Sequence, residues 1–182
     1  LQYLPDDMPY SVQNGLVPHL LSLGLDVYGY QMTGYCNLLD SYDGYLSAQE
    51  TVLNSLLDET RQANQPYIRY PYIDTRQIAP GVWCYPETSI HHSVRLFPPV
   101  YIGQGCLVGH DTEIGPNVVV GPHTVIEKGA TIQNSVILDQ TYIGKLLSIE
   151  HKIVSKSLLI DVNRGEHTNV DDPVLLAEAK PN

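Results

Sequence analysis

The chain has 182 residues, enough for one domain or for one domain plus part of a second. Its 43% hydrophobic and 16% charged residues make an ordinary globular composition, and no apolar run reaches the about 18 residues a membrane-spanning helix needs. The formal net charge is −10, and no basic stripe is present of the kind a nucleic-acid binder uses to displace phosphate counterions.

The first residues, Leu1-Gln2-Tyr3-Leu4-Pro5-Asp6-Asp7, carry neither the basic nor the apolar region of a signal peptide. Without an initiator Met they read as the trimmed end of a longer chain. Residues 16–23 predict a short helix stopped by Gly24, with Pro18 in its first turn. Residues 25–32 predict a strand, bent at Gly29. Ser41 is placed to cap a longer helix whose stripe runs Tyr42, Tyr45, Leu46, Gln49, Val52, Leu53, Leu56 and Leu57. Pro66 and Pro71 interrupt an extended linker over residues 66–77. Two helices and one strand bury no sheet-sized core, so residues 1–65 are expected to be the end of an α/β domain or a helical cap.

From Ile78 an apolar residue recurs every six positions: Ile78, Cys84, Ile90, Leu96, Ile102, Val108, Ile114, Val120, Ile126, Ile132 and Leu138. Four residues after each stands Val82, Thr88, Val94, Val100, Cys106, Thr112, Val118, Thr124, Ala130, Val136 and Tyr142, all but the last small or β-branched. Glycine follows the apolar residue at 103, 109, 115 and 121. This is the pattern of a parallel β-helix of hexapeptide repeats. Three hexapeptides, one short strand in each, make a full coil. Each side sends one large and one small side chain inward, and glycine eases the corners. Each buried aliphatic side chain contributes about 1.5–3 kcal/mol gross, so this column can hold the fold without helices. Ile78, Leu96, Ile114 and Ile132 are expected to stack in one column, and Val82, Val100, Val118 and Val136 in another.

After Leu138 the phase slips by one and restarts at Ile143 and Ile149. Ile153, Val154, Leu158, Leu159 and Ile160 suggest one further coil, which would carry the β-helix over residues 78–162. Residues 163–182 are expected to cover its open end, with 172–177 as a short helix N-capped by Asp172.

The residues Gly29-Tyr30-Gln31-Met32-Thr33-Gly34-Tyr35-Cys36-Asn37-Leu38-Leu39-Asp40-Ser41-Tyr42-Asp43-Gly44-Tyr45-Leu46-Ser47-Ala48-Gln49 resemble the end of the nucleotidyltransferase domain of sugar-nucleotide pyrophosphorylases. Pro98-Pro99-Val100-Tyr101-Ile102-Gly103, Ile114-Gly115-Pro116-Asn117, Asn134-Ser135-Val136-Ile137 and Thr141-Tyr142-Ile143-Gly144 are similar to that family's β-helix tail. Among its members, mannose-1-phosphate guanylyltransferases and related NDP-sugar synthases look nearest. The resemblance implies a left-handed winding, which the spacing does not supply. It also places Cys36 where the family has Trp and Leu38 where it has a metal-binding Asp, with Asp40 two residues on. Leu38 offers no oxygen to Mg²⁺. The family's glycine-rich phosphate loop and basic residues are not found in these 182 residues. The segment itself is therefore expected to be non-catalytic and cofactor-free, with Mg²⁺ needed only by a full-length parent enzyme.

Hexapeptide β-helices also serve acyltransferases and one class of carbonic anhydrase. The latter needs two zinc-binding histidines five residues apart, and none of His19, His91, His92, His110, His123, His151 and His167 are so spaced. His92 and His110 are separated by three hexapeptides, with Lys128 a further coil on, so the three are expected at one corner. That corner could hold an anion or supply a general base for acyl transfer, against the plainer reading of a solvated polar column. Cys106 falls on an inward position and is read as packing, and Glu87 and Asp111 form no carboxylate pair. Three sparse cysteines without a CxxC make neither a disulfide framework nor a zinc site, which fits a reducing cytoplasm. The expected function is the assembly or regulatory C-terminal part of a sugar-1-phosphate nucleotidyltransferase. The alternative is a hexapeptide acyltransferase acting on a sugar nucleotide. Expected partners are other copies through the β-helix faces or a catalytic domain, with neither nucleic acid nor membrane.

Overall fold

The computed structural model describes residues 11–33, 35–57 and 75–180, so the prolines of the predicted linker lie outside the described residues. The chain divides into two compact units, Leu1–Cys36 and Asn37–Asn182. In the first, the Ser11 hydroxyl accepts a hydrogen bond from the Asn14 N–H (3.1 Å) and caps a π-helical turn, Val12–Leu16. This runs into α1 (Val17–Ser22), and Gly24, at φ 71°, ends it. The strand predicted over residues 25–32 does not form.

In the second unit Ser41 caps as expected, its hydroxyl accepting from the Gly44 N–H at 3.0 Å, and α2 spans Tyr42–Leu57. A hairpin follows, β1 (Arg76–Ala79) antiparallel to β2 (Val82–Cys84), turned at Gly81 with φ 74°. From β2 the chain coils as a β-solenoid. β2, β3 (Ser89–Ile90) and β4 (Arg95–Leu96) form the first turn. β5 (Val100–Ile102), β6 (Leu107–Val108) and β7 (Glu113–Ile114) form the second. β8 (Val118–Val120), β9 (Val125–Ile126) and β10 (Thr131–Gln133) form the third. β11 (Val136–Ile137), β12 (Thr141–Ile143) and β13 (Ser148–Glu150) form the fourth, and β14 (Lys152–Ser155) opens a fifth. Equivalent strands pair in parallel, turn on turn.

Three inward columns fill the prism: Cys84–Ile102–Val120–Ile137–Val154, Ile90–Val108–Ile126–Ile143 and Leu96–Ile114–Ile132–Ile149. Of the expected core, Ile102, Val108, Ile114, Val120, Ile126 and Ile132 are buried, while Ile90 and Leu96 are half-buried in the first turn against the same cluster. Ile78 is not core. It is 49% exposed, because the turn at Gly81 places β1 antiparallel outside the first coil.

The pitch also departs from a constant three hexapeptides. Val120 pairs with Ile137, Ile126 with Ile143 and Ile132 with Ile149, each one position short of a full coil. The slip therefore falls between β10 and β11, ahead of Leu138. In a strand of period two, one missing residue exchanges the faces. Ile137 turns inward in place of Leu138, and Thr141 in place of Tyr142. Val136 is buried on the outer face instead, packed with Leu46 of α2.

Of the corner glycines, Gly115 lies at φ 109° and serves the expected relaxed backbone, while Gly109 and Gly121 have a different cause. Gly109 and Gly121 lie at no positive φ. A Cβ on them would stand 2.8 Å from the Lys128 nitrogen and 2.6 Å from the Asp139 nitrogen of the next coil, so glycine is needed for close stacking. Left-handed corner positions are held by Gly105 and Gly129 and also by side-chain-bearing residues, among them Asp111, Asn117, Asn134 and His151, at φ 44–59°.

The further coil predicted from Ile153 is not made. β15 (Leu158–Asp161) and β16 (Glu166–Asn169) fold back antiparallel on β14. The predicted helix over 172–177 is a single turn held by Asp172, followed by β17 (Leu176–Glu178), antiparallel to β12. Parallel pairing thus ends at Ser155, short of 162. α2 lies along the outer face formed by Val119, Val136, Ile153 and Ile160. Its 16 residues give about 24 Å of helix, comparable with the about 19 Å spanned by the five parallel strands of this sheet.

Candidate functional site

The expected corner exists. His92, His110 and Lys128 follow β3, β6 and β9 on successive coils, and the Gly129 N–H donates to the His110 carbonyl at 3.0 Å to hold the stack. The Leu146 N–H bonds the Lys128 carbonyl in the same way, so Lys145 continues the column. The hexapeptide count does not reach Lys145, because the step to the fourth coil is one position short. All four side chains are exposed. His91 joins them, its ring 4.2 Å from His92 and 5.7 Å from His110.

Asp111 lies at the same corner. Its carboxylate lies 2.7 Å from His110 Nδ1, and its N–H donates to the Ser93 hydroxyl, which is 2.9 Å from His91 Nδ1. The hydrogen bond from His110, then that with Ser93, holds the Asp111 carboxyl below the ordinary range. The corner is thus an exposed polar column tied together by hydrogen bonds through Asp111 and Ser93.

The cysteines carry no nucleophile in the core. Burial pushes the Cys106 thiol up to about 11, and burial raises Cys84 also. Cys36 is exposed. For Mg²⁺ the positions given by the family resemblance do not fit. Leu38 is exposed and has no ligating oxygen, and among the described residues no group of three or more His, Cys, Asp or Glu could hold a metal ion.

Two hollows flank α2. The larger, about 650 Å³, has an apolar floor of Leu138, Ile153, Ile160 and Val162 under Asp40, Ser41 and Asp43 at the start of the helix. The smaller, about 240 Å³, lies between Asp43, Ser47, Gln49 and Glu50 of α2 and a corner column of Asn117, Asn134 and His151. The hexapeptide period does not reveal this column, because each of its steps falls one position short of a full coil. Asn117 donates through Nδ2 to Glu50 Oε1 (3.3 Å) and Asn134 Oδ1 (3.2 Å), while its own Oδ1 is buried without a partner.

Residues 96–179 match the GMPPB C-terminal domain family. The match runs from β4 to just past β17, so the fold-back strands and the closing strand are part of the matched domain together with the coils. It supports a sugar-nucleotidyltransferase C-terminal region for this part of the chain. No curated protein matches the chain. No helix among the described residues is long and apolar enough to cross a membrane.

Proposed function

We propose that this chain is the assembly or regulatory C-terminal part of a cytoplasmic sugar-1-phosphate nucleotidyltransferase and performs no nucleotidyl transfer itself. The observation that carries the reading is the family match over the solenoid and its closing strands. Nucleotidyl transfer is mostly positioning and charge neutralisation by Mg²⁺ and basic groups, and Leu38, at the position of the family's metal-binding Asp, offers Mg²⁺ no side-chain oxygen. One side of the solenoid is covered by α2, which leaves the others for association. On the β3–β6–β9–β12 side the outward column includes Leu107, Val125 and Tyr142, with Leu107 exposed. Such a repeated flat face suits contact between copies or with a catalytic domain.

The test uses the purified chain with sugar 1-phosphates, nucleoside triphosphates and Mg²⁺. The expected result is no pyrophosphate release above the protein-free background, together with an assembly larger than a monomer in light scattering. Pyrophosphate release that depends on this chain would overturn the non-catalytic role. A strict monomer at high concentration would remove self-association and leave docking to a separate catalytic domain.

A further inference from the structure

We infer that the small cleft between α2 and the Asn117–Asn134–His151 corner binds a single neutral saccharide ring. The walls are built by two independent regularities. On α2, Asp43, Ser47 and Glu50 fall at helical spacing on one face. Across from them, Asn117, Asn134 and His151 sit at φ 54°, 44° and 53°, and the Asn134 and His151 N–H groups bond the carbonyls of Pro116 and Gln133 on the preceding coil. Backbone pairing therefore fixes three polar side chains in a row, which is the preorganisation a binding site requires.

The lining chemistry selects the ligand. Asp43 and Glu50 are carboxylates and the lining contains no Lys or Arg, so a phosphate or carboxylate ligand would meet uncompensated negative charge. The buried Asn117 Oδ1 has no donor and needs an N–H or O–H. Asn134 gives its oxygen to Asn117, which leaves its amide nitrogen as a donor in search of an acceptor. A hydroxyl group is both donor and acceptor, whereas an ammonium is a donor alone, so a polyol satisfies both walls and a diamine only one. Leu46 and Val136 add apolar surface for the C–H face of a ring. The volume of about 240 Å³ lies below the about 300–1,000 Å³ of sites for larger ligands, which suits a single ring. The inference rests on this lining and stands whether or not the chain serves a nucleotidyltransferase.

The experiment is ligand-observed NMR and calorimetry on the full chain with glucose, mannose and galactose, with glucose 1-phosphate and with putrescine. At least one neutral hexose is expected to bind saturably with a Kd of about 1 mM, and the phosphate ester at least about tenfold more weakly. Asn117→Gly keeps the left-handed backbone while removing the amide, and Glu50→Gln keeps the shape while removing the charge. Each is expected to weaken hexose binding by about tenfold or more with an unchanged melting curve. No saturable binding of any hexose, or binding unaffected by both variants, would overturn the site. Putrescine binding in place of the hexoses would overturn the saccharide assignment.

Discussion

At the residue scale, the inward corner positions decide what is chemically available. Cys106 stands in a column of small residues with Thr124 and Thr141, and its thiol lies 3.1 Å from the Gly121 carbonyl of the next coil. A thiol raised on folding contributes stability that is complete below its unfolded pKa. That contribution is lost as pH climbs from the ordinary 9.0 toward about 11. Two consequences are open to measurement. In native buffer near neutral pH, a thiol reagent is expected to modify Cys36 and leave Cys84 and Cys106 untouched until denaturant is added; mass mapping that finds Cys106 labelled in the folded state contradicts its burial. Over the same alkaline range, wild type is expected to lose about 2 kcal/mol more than Cys106→Thr, which retains a hydroxyl for the carbonyl, in urea melts. Most of this was legible in the sequence, since Cys106 occupies the small slot of the hexapeptide. The partnerships of His110 with Asp111 and of Asn117 with Glu50 were not, because they depend on which residues adopt the left-handed corner and where α2 lies.

At the element scale, the hexapeptide period predicted the coils from β2 to β10 and failed where two apolar residues stood side by side. Ile137 and Leu138 both satisfy the pattern, so spacing alone could not show that the corner at Asn134 is one residue short. The same ambiguity hid the change of face at Val136, whose burial is caused by α2 and not by the prism. At the start, Ile78 keeps the phase although it lies on β1, ahead of the Gly81 turn that reverses the chain into the first coil. At the far end, the apolar residues around Ile160 looked like a coil because an antiparallel hairpin alternates with the same period of two. α2 was read correctly as an amphipathic helix capped by Ser41, but its surface partner is the outward face of strands whose inward face carried the repeat. Leu46 is the measure of that contact, with 8% of its surface exposed, in one cluster with Val136, Ile153 and Ile160. Leu46→Ala is expected to cost about 2–5 kcal/mol in chemical denaturation, comparable with a deletion inside the prism. A loss under about 1 kcal/mol would mean that α2 rests on the solenoid without packing into it.

At the scale of the whole molecule, a stack of parallel strands has an edge problem at each end that its repeat cannot solve. The C-terminal segment answers it with strands that run the opposite way. β15 closes the sheet that ends in β14, and β17 closes the sheet that ends in β12. Beyond the ladder itself, the Gly144 N–H donates to the Leu175 carbonyl and the Ala179 N–H to the Gln140 carbonyl, each at 2.7 Å. Leu176 is buried in the main core cluster, so β17 seals apolar surface as well as backbone groups. Removing residues 171–182 would therefore strip one side of the last turn of its cover and uncover the β12 edge. The truncated chain is expected to fold with a lowered melting temperature and to associate further than the full chain at equal concentration, through edge-to-edge strand addition. Leu176→Asp, which keeps the chain length and places a charge in the core, is expected to act in the same direction by about 2 kcal/mol or more through the loss of burial. Paired light-scattering and thermal melts decide it: a truncated chain with the same assembly size and the same melting temperature as the full chain would show that β17 decorates the solenoid without closing it.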